Sequence, residues 1–385
     1  MKLRSVIIYL FIFSFCGWTF YQQFFTSRYS FVIENEDLYI KIFNYVFFFL
    51  FFTCFLFLYR FNNYSIIDLF LIITFTGILF VTKQFGFLVN FLIVLLVVRY
   101  FKFSFILKSF FITTIFLLII VYIGYLFGLF DENVSIDAFR EDGKERYLLG
   151  FKFFTFLPSY FFHLFLVYLI LRKEKINFKE ITLFFILNYI LFYFTDTRAI
   201  YYLVNLIFVF IIIQKITRID YKTKFGIGYT ISLTTKYSYI IFFCIAVYLQ
   251  CNYDSNISWM NELNQALSGR LELGHKGYSL YGVKLFGSNV EYVGFLDITE
   301  EESYFYIDSA YQQLLINYGV LISLLLGIGF LKAISVFINQ NDIYTGTAIV
   351  FLLIHSMTDP QLIFTAYNPL IYMVAYYGHK QNLLR

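Results

Sequence analysis

The sequence holds three prolines and four cysteines in 385 residues, and charged side chains make up 14 % of it. Each scarcity excludes something. Soluble domains average ~25 % charged residues, so a chain this poor in charge does not coat itself for water. Three prolines and 20 glycines are too few to turn so much apolar sequence around a soluble core, and they exclude a collagen-like fibre. The cysteines, Cys16, Cys54, Cys244 and Cys251, share no polar loop, which argues against a disulfide framework or a thiolate metal site. The histidines, His163, His275, His355 and His379, are too scattered for a metal cluster. No cofactor is expected.

What abounds is apolar and aromatic: 60 % hydrophobic residues, 55 Phe and 35 Tyr, with a mean hydropathy of +0.72. A spanning helix needs ~20 mostly apolar residues, with ~17 tolerated. That window gives about twelve spans, at 6–25, 39–59, 66–81, 85–98, 110–130, 151–171, 181–195, 199–213, 233–250, 311–331, 343–357 and 362–377. The start, Lys2 and Arg4 before an apolar run, mimics a signal peptide. It lacks a small-x-small cleavage site and reads as a retained first span. The expectation is an all-α polytopic membrane protein, one membrane domain over 1–385, with a large extracytoplasmic loop at 251–310 between the ninth and tenth spans.

Charge tests this arrangement, because short cytoplasmic loops concentrate Lys and Arg. With the N-terminus inside, 18 basic and five acidic residues fall on the cytoplasmic side, a net of +13 within a total of +4. The other 11 basic and 20 acidic residues fall outside, a net of −9. Both termini are therefore expected in the cytoplasm of a bacterial cell, with the working face outside.

Four outer segments carry the polar residues: a charged loop at 131–150, the tight turn Thr195-Asp196-Thr197-Arg198, the loop at 251–310, and the turn at Thr358-Asp359-Pro360. Within the long loop, Trp259, Leu263, Ala266 and Leu267 share one helical face, predicting a short amphipathic helix along the membrane surface. Gly269 supplies the left-handed residue that ends it, with Arg270 thrown off the end.

Among these residues Arg198 is the sharpest feature. A cation near membrane depth costs a few kcal/mol, so it needs a partner or a task. It is either an interfacial arginine paired with Asp196, or an anion clamp, for which the planar guanidinium fork suits phosphate oxygens. Arg270 is the natural second jaw, with a solvated loop cation as the alternative. Arg140 and Arg146 lie among Glu141, Asp142 and Glu145 and read as solvated charge, as do Glu300, Glu301 and Glu302. Asp308, just before the tenth span, either caps that helix or orients and deprotonates an acceptor hydroxyl. His355 and Asp359 stand one helical turn apart; a hydrogen-bonded structural histidine is the default reading. No phosphate-binding loop, dinucleotide fingerprint, zinc-protease helix or nucleophile elbow occurs, so nucleotide hydrolysis and covalent nucleophilic catalysis have no support.

Four stretches in this order resemble the O-antigen and capsular polysaccharide polymerases, often called Wzy-type, which share a superfamily with the O-antigen ligases. They are Thr195–Ala199 with its arginine plus small residue, Leu267-Ser268-Gly269-Arg270, Leu285-Phe286-Gly287, and the run from Asp308-Ser309-Ala310-Tyr311 to Gly319-Val320-Leu321. His355-Ser356-Met357-Thr358-Asp359-Pro360 and Tyr367-Asn368-Pro369 add to the likeness. The ligase branch tends to carry a histidine where this chain has Asp308-Ser309, which favours the polymerase. The resemblance implies metal-independent glycosyl transfer between undecaprenyl-diphosphate-linked oligosaccharides at the outer membrane face. Arg198 and Arg270 would grip the diphosphate, and Asp308 and His355 would be catalytic, with Asp196 and Asp359 completing the substrate site. Implied partners are the lipid-linked oligosaccharide, the bilayer, a flippase and a chain-length regulator; nothing points to nucleic acid. A ligase of the same superfamily is the enzymatic rival. A lipid-linked oligosaccharide flippase or transporter is the other, although transporters usually show related halves with polar sites at the midplane.

Overall fold

A computed structural model describes residues 2–59, 65–83, 85–130, 145–294 and 304–378. The charged loop through residue 144 (Arg140, Glu141 and Asp142 with it), Glu300 to Glu302, His379, Lys380 and Arg385 lie outside the described residues.

Within a bilayer every backbone polar group must be paired inside the protein, and a helix does this locally. The apolar runs accordingly become α1 (Lys2–Phe24), α2 (Glu36–Leu58), α3 (Ser65–Thr82), α4 (Phe85–Val98) and α5 (Phe103–Leu126). There follow α6 (Phe156–Arg172), α7 (Phe178–Thr195), α8 (Arg198–Thr217) and α9 (Ile227–Cys251). Then come α10 (Ser258–Ala266), α11 (Arg270–Tyr281), α12 (Ala310–Gln313), α13 (Gly319–Asn339), α14 (Ile343–His355) and α15 (Met373–Gly378). Among the described residues eight helical stretches are long and apolar enough to cross a membrane, α12 and α13 counting together as Ala310–Asn339. Three more apolar helices are shorter: Asp68–Thr82, Gly86–Val98 and Ile343–His355. The protein is an all-helical, polytopic membrane protein.

Long-range packing closes the bundle. α2 packs on α1 and α4, α13 on α9 and α15, and α14 on α6, α8 and α9. Aromatic side chains fill the shared core: Trp18, Phe51, Tyr311 and Tyr372 are wholly buried, with Trp18 meeting Phe51 edge-on at 5.4 Å between centroids. Outward faces of α2, α3, α5 and α7 instead present isoleucine, leucine and phenylalanine.

Two spans depart from continuous helix. The tenth is broken near its start: α12 runs into a π-helical turn over Leu314–Tyr318, and Gly319 then adopts φ +87°, ψ 177°, a conformation open essentially to glycine alone. The backbone of the preceding loop fills the break. Ser288 N–H donates to Ile316 O at 2.8 Å, and Val320 N–H donates to Lys284 O at 3.1 Å. Gly287 and Gly319 permit this approach, since a Cβ on Gly287 would strike Asn317 O and one on Gly319 would strike Leu285 O. Two separate stretches of the resemblance, Leu285-Phe286-Gly287 and the run ending at Gly319, are thus one contact.

The second departure is the stretch expected to span at 362–377. It is irregular to residue 368, then a 3-10 turn at Pro369–Tyr372, then α15. Proline removes a backbone donor and Asn368 folds back on its own chain, accepting from Leu370 N–H and donating to Leu362 O at 2.6 Å. The segment is nonetheless buried, and α1 supplies part of its pairing: Gln23 Nε2 donates to Ala366 O at 2.7 Å. Irregular backbone is tolerated in an apolar bundle on this condition.

Candidate active site at the ends of α11, α12 and α14

The long loop builds the position of Arg270. The left-handed residue that closes α10 is Ser268, φ +56°, one position before the expected Gly269, itself at φ +81°; Gly269 N–H to Asn264 O (2.8 Å) and Ser268 N–H to Gln265 O (3.0 Å) are the paired bonds of a Schellman motif. Contrary to expectation, Arg270 is not thrown off a helix end; it opens a second helix, α11, in the stretch that looked merely glycine-punctuated. α10 is a short amphipathic helix, as its pattern predicts. Its buried face is Met260, Leu263, Asn264 and Leu267, against Tyr253, Leu249 and Leu271, while Trp259 is half exposed. The polar Asn264 was hidden from an apolar count. Its Oδ1 accepts from Leu271 N–H (3.0 Å) and Glu272 N–H (3.2 Å), capping α11 in place of the side chain Gly269 lacks. Arg270 is therefore held at the first position of a capped helix.

α11 is then pressed on α9 and α12. Gly274 meets the Gln250 side chain, and Gln312 Nε2 donates to Gly274 O at 3.5 Å. This brings Arg270 Nε to 3.4 Å from Asp308 Oδ2. Asp308 does not cap α12; Ser309 does, accepting from Gln312 N–H. The carboxylate is left for Arg270.

α14 ends at the same place. Ala310 N–H donates to Ser356 O at 3.0 Å, tying the start of α12 to the last turn of α14. His355 Nε2 lies 3.8 Å from Asp359 Oδ2, and Asp359 Oδ1 accepts from Gln361 N–H at 3.0 Å. The two acid pairs sense each other. Burial pushes the Asp308 carboxyl up to about 6, Arg270 opposes that, and the charge of Asp359 adds to it. Burial lifts Asp359 to about 7, opposed by the Gln361 N–H and by Arg270. Arg270, Asp308, His355 and Asp359, drawn from three separate sequence segments, form one group.

Arg198 and Asp196 stand at the turn between α7 and α8, Nε to Oδ2 3.5 Å, with the Arg198 side chain half exposed. Asp196 takes the left-handed conformation, φ +47°, that makes the four-residue turn possible. The segment beyond the charged loop reaches this turn, Tyr147 N–H donating to Phe194 O at 2.9 Å.

Sequence reasoning missed three contributors. His163 of α6 sits 5.9 Å from His355 between ring centroids, its Nδ1 on Ser159 O at 2.8 Å and its Nε2 without a partner. Spacing of 192 residues hid the pair. Tyr304 and Tyr306 are the others. Residues 304–309 run extended, with Phe305, Ile307 and Ser309 buried, and Tyr304, Tyr306 and Asp308 partly exposed on the alternate side. Two aromatic rings thus lead along one face to the carboxylate. The alternation was visible in the sequence, but tyrosine and phenylalanine count alike as apolar and blur it.

Among the described residues, three buried polar atoms nearby lack hydrogen-bond partners: Ser159 Oγ, His163 Nε2 and Gln361 Oε1. Burial of an unpaired polar atom costs ~1–3 kcal/mol, and such atoms cluster where a ligand or water completes them. Among the described residues no group of three His, Cys, Asp or Glu side chains is disposed to hold a metal ion. The chain matches no protein-family model, no curated protein and no solved structure.

Proposed function

We propose that the protein is a membrane glycosyltransferase that polymerises lipid-diphosphate-linked oligosaccharide repeat units at the extracytoplasmic face. The observation that carries the reading is the convergence of Arg270, Asp308, His355 and Asp359 at the ends of α11, α12 and α14, beside a tyrosine-lined extended segment. A cation with carboxylates of raised pKa suits a reaction that expels a diphosphate and takes up a proton. In the proposed step an acceptor hydroxyl attacks the anomeric carbon of the donor sugar, the bond to the lipid diphosphate breaks, and the hydroxyl proton passes to Asp308. Arg270 and Arg198 hold the diphosphate and stabilise the charge growing on it. His355 and Asp359 orient the acceptor, and Tyr304 and Tyr306 stack on sugar faces.

Twelve crossings with the site outside belong to the same proposal. Ion pairs support it: Arg99 with Asp68, Arg172 with Glu180 and Lys173 with Asp342 each join residues counted as cytoplasmic. Lys152 with Glu36, Arg198 with Asp196 and Arg270 with Asp308 each join residues counted as external. Deleting the gene should leave single lipid-linked repeats in the cell. Full-length polymer retained on the lipid would instead indicate a ligase, and R198A with polymer of normal length and yield would remove Arg198 from the clamp.

A further inference from the structure

At the opposite end of α14 from His355 lies a cavity of about 940 Å³, within the size range of small-molecule sites. It opens between the turn after α6, the C-terminal end of α8 and the α13–α14 turn. Its cations are Arg172, Lys173, Lys175, Lys215 and Arg218, against the carboxylates of Glu174 and Asp342. Two of the cations are already neutralised: Arg172 Nη2 lies 2.7 Å from Glu180 Oε1, and Lys173 Nζ lies 2.6 Å from Asp342 Oδ2. Among the described residues Lys175, Lys215 and Arg218 have no carboxylate at ion-pair distance; Lys215 reaches the backbone oxygen of Glu174 at 3.4 Å. The cavity therefore keeps an unbalanced positive charge.

Two buried polar atoms in its lining also lack partners, Arg172 Nε and Gln214 Oε1. Gln214 is 8 % exposed and its Nε2 is committed to Ile219 O at 3.1 Å, so Oε1 awaits a donor. In the last two turns of α8, which supply Gln214 and Lys215 to the cavity, Ile213 and Ile216 are exposed, the latter 75 %. Basic pockets between helix ends at this level match anionic lipid headgroups.

We propose that this cavity binds the phosphate-bearing headgroup of an anionic phospholipid, with Lys175, Lys215 and Arg218 on the phosphate and a glycerol-type hydroxyl donating to Gln214 Oε1. The site is separate from the proposed transferase centre and does not depend on it. The test uses the full chain in neutral detergent, with lipid retention read by native mass spectrometry for phosphatidylglycerol, phosphatidylcholine and phosphatidic acid, and inorganic pyrophosphate as a soluble competitor. Phosphatidylglycerol should be retained at least tenfold over phosphatidylcholine and fall at least fivefold in each of K175Q, K215Q and R218Q, none of them a buried position, with melting temperature read alongside. Q214L should erase the preference for phosphatidylglycerol over phosphatidic acid. Displacement of the lipid by millimolar pyrophosphate supports the phosphate chemistry. Equal retention of phosphatidylglycerol and phosphatidylcholine, or unchanged retention in all three single variants, would overturn the proposal. Pyrophosphate binding without lipid binding would overturn the lipid assignment.

Discussion

Arg270 owes its place to a neighbour that looks unremarkable in sequence. Asn264 caps α11 and so aims the guanidinium at Asp308, 3.4 Å away. Removing the charge with R270Q should lower polymer formation ~10²–10³-fold, the range for losing one preorganised electrostatic contact, and R270K should recover only part of it. The same residue governs pH behaviour. Asp308 and Asp359 titrate near 6 and 7 when folded, above an unfolded value near 4, so the folded chain holds protons that the unfolded chain has released. Stability from these groups is therefore present at low pH and falls as pH rises from about 4 through 6 and 7. R270Q raises both values and extends the decline to higher pH, which thermal midpoints measured between pH 5 and 8 will show. Y304A and Y306A should each weaken acceptor binding severalfold, from the ~0.5–1.5 kcal/mol of a ring contact, with folding unchanged. A matched loss in both melting temperature and affinity would mark them as structural. Arg270, Asp308, His355 and Asp359 were legible because ionic residues are rare in such a chain. His163 was not, because its partner lies in a distant segment and only packing brings the two rings together.

At the scale of elements, the apolar runs predicted helices closely where the pairing is local: α4 occupies Phe85–Val98, the expected stretch. The reading failed where the chain pairs with something remote. The break at Gly319 requires Lys284 and Leu285 as backbone partners, and no local pattern announces that. G319A should cost more than ~1–3 kcal/mol, since φ +87° strains any Cβ and that Cβ would also strike Leu285 O. Loss of folded yield in detergent, shared by G287A, is the expected result; wild-type yield for both would refute the loop–helix contact. A second element-scale prediction concerns α3 and α4. Arg99 and Asp68 form a buried two-pronged pair, both prongs 2.7 Å. D68L strands the guanidinium and should destabilise by ~3–5 kcal/mol, whereas D68L with R99L should recover most of it, because a buried pair often does no better than apolar residues of like size.

For the molecule as a whole, the sparse charges are the informative part of the sequence. Under the proposed topology, which puts +13 on one side and −9 on the other, the pairs Arg99–Asp68, Lys152–Glu36 and Arg270–Asp308 each join residues assigned to the same side. Single cysteines at Lys175 and Ser279 should accordingly react with an impermeant maleimide from opposite sides of the membrane. Transfer between lipid-linked sugars at Arg270 is what the proposed chemistry requires of the whole molecule. The most direct measurement is electrophoresis of products after purified protein is incubated with lipid-diphosphate-linked repeat units in vesicles. A ladder of repeat multiples with the wild-type chain, reduced at least a hundredfold by R270Q, is the predicted result. An identical ladder from R270Q, or no ladder from the well-folded wild-type protein, would contradict the account.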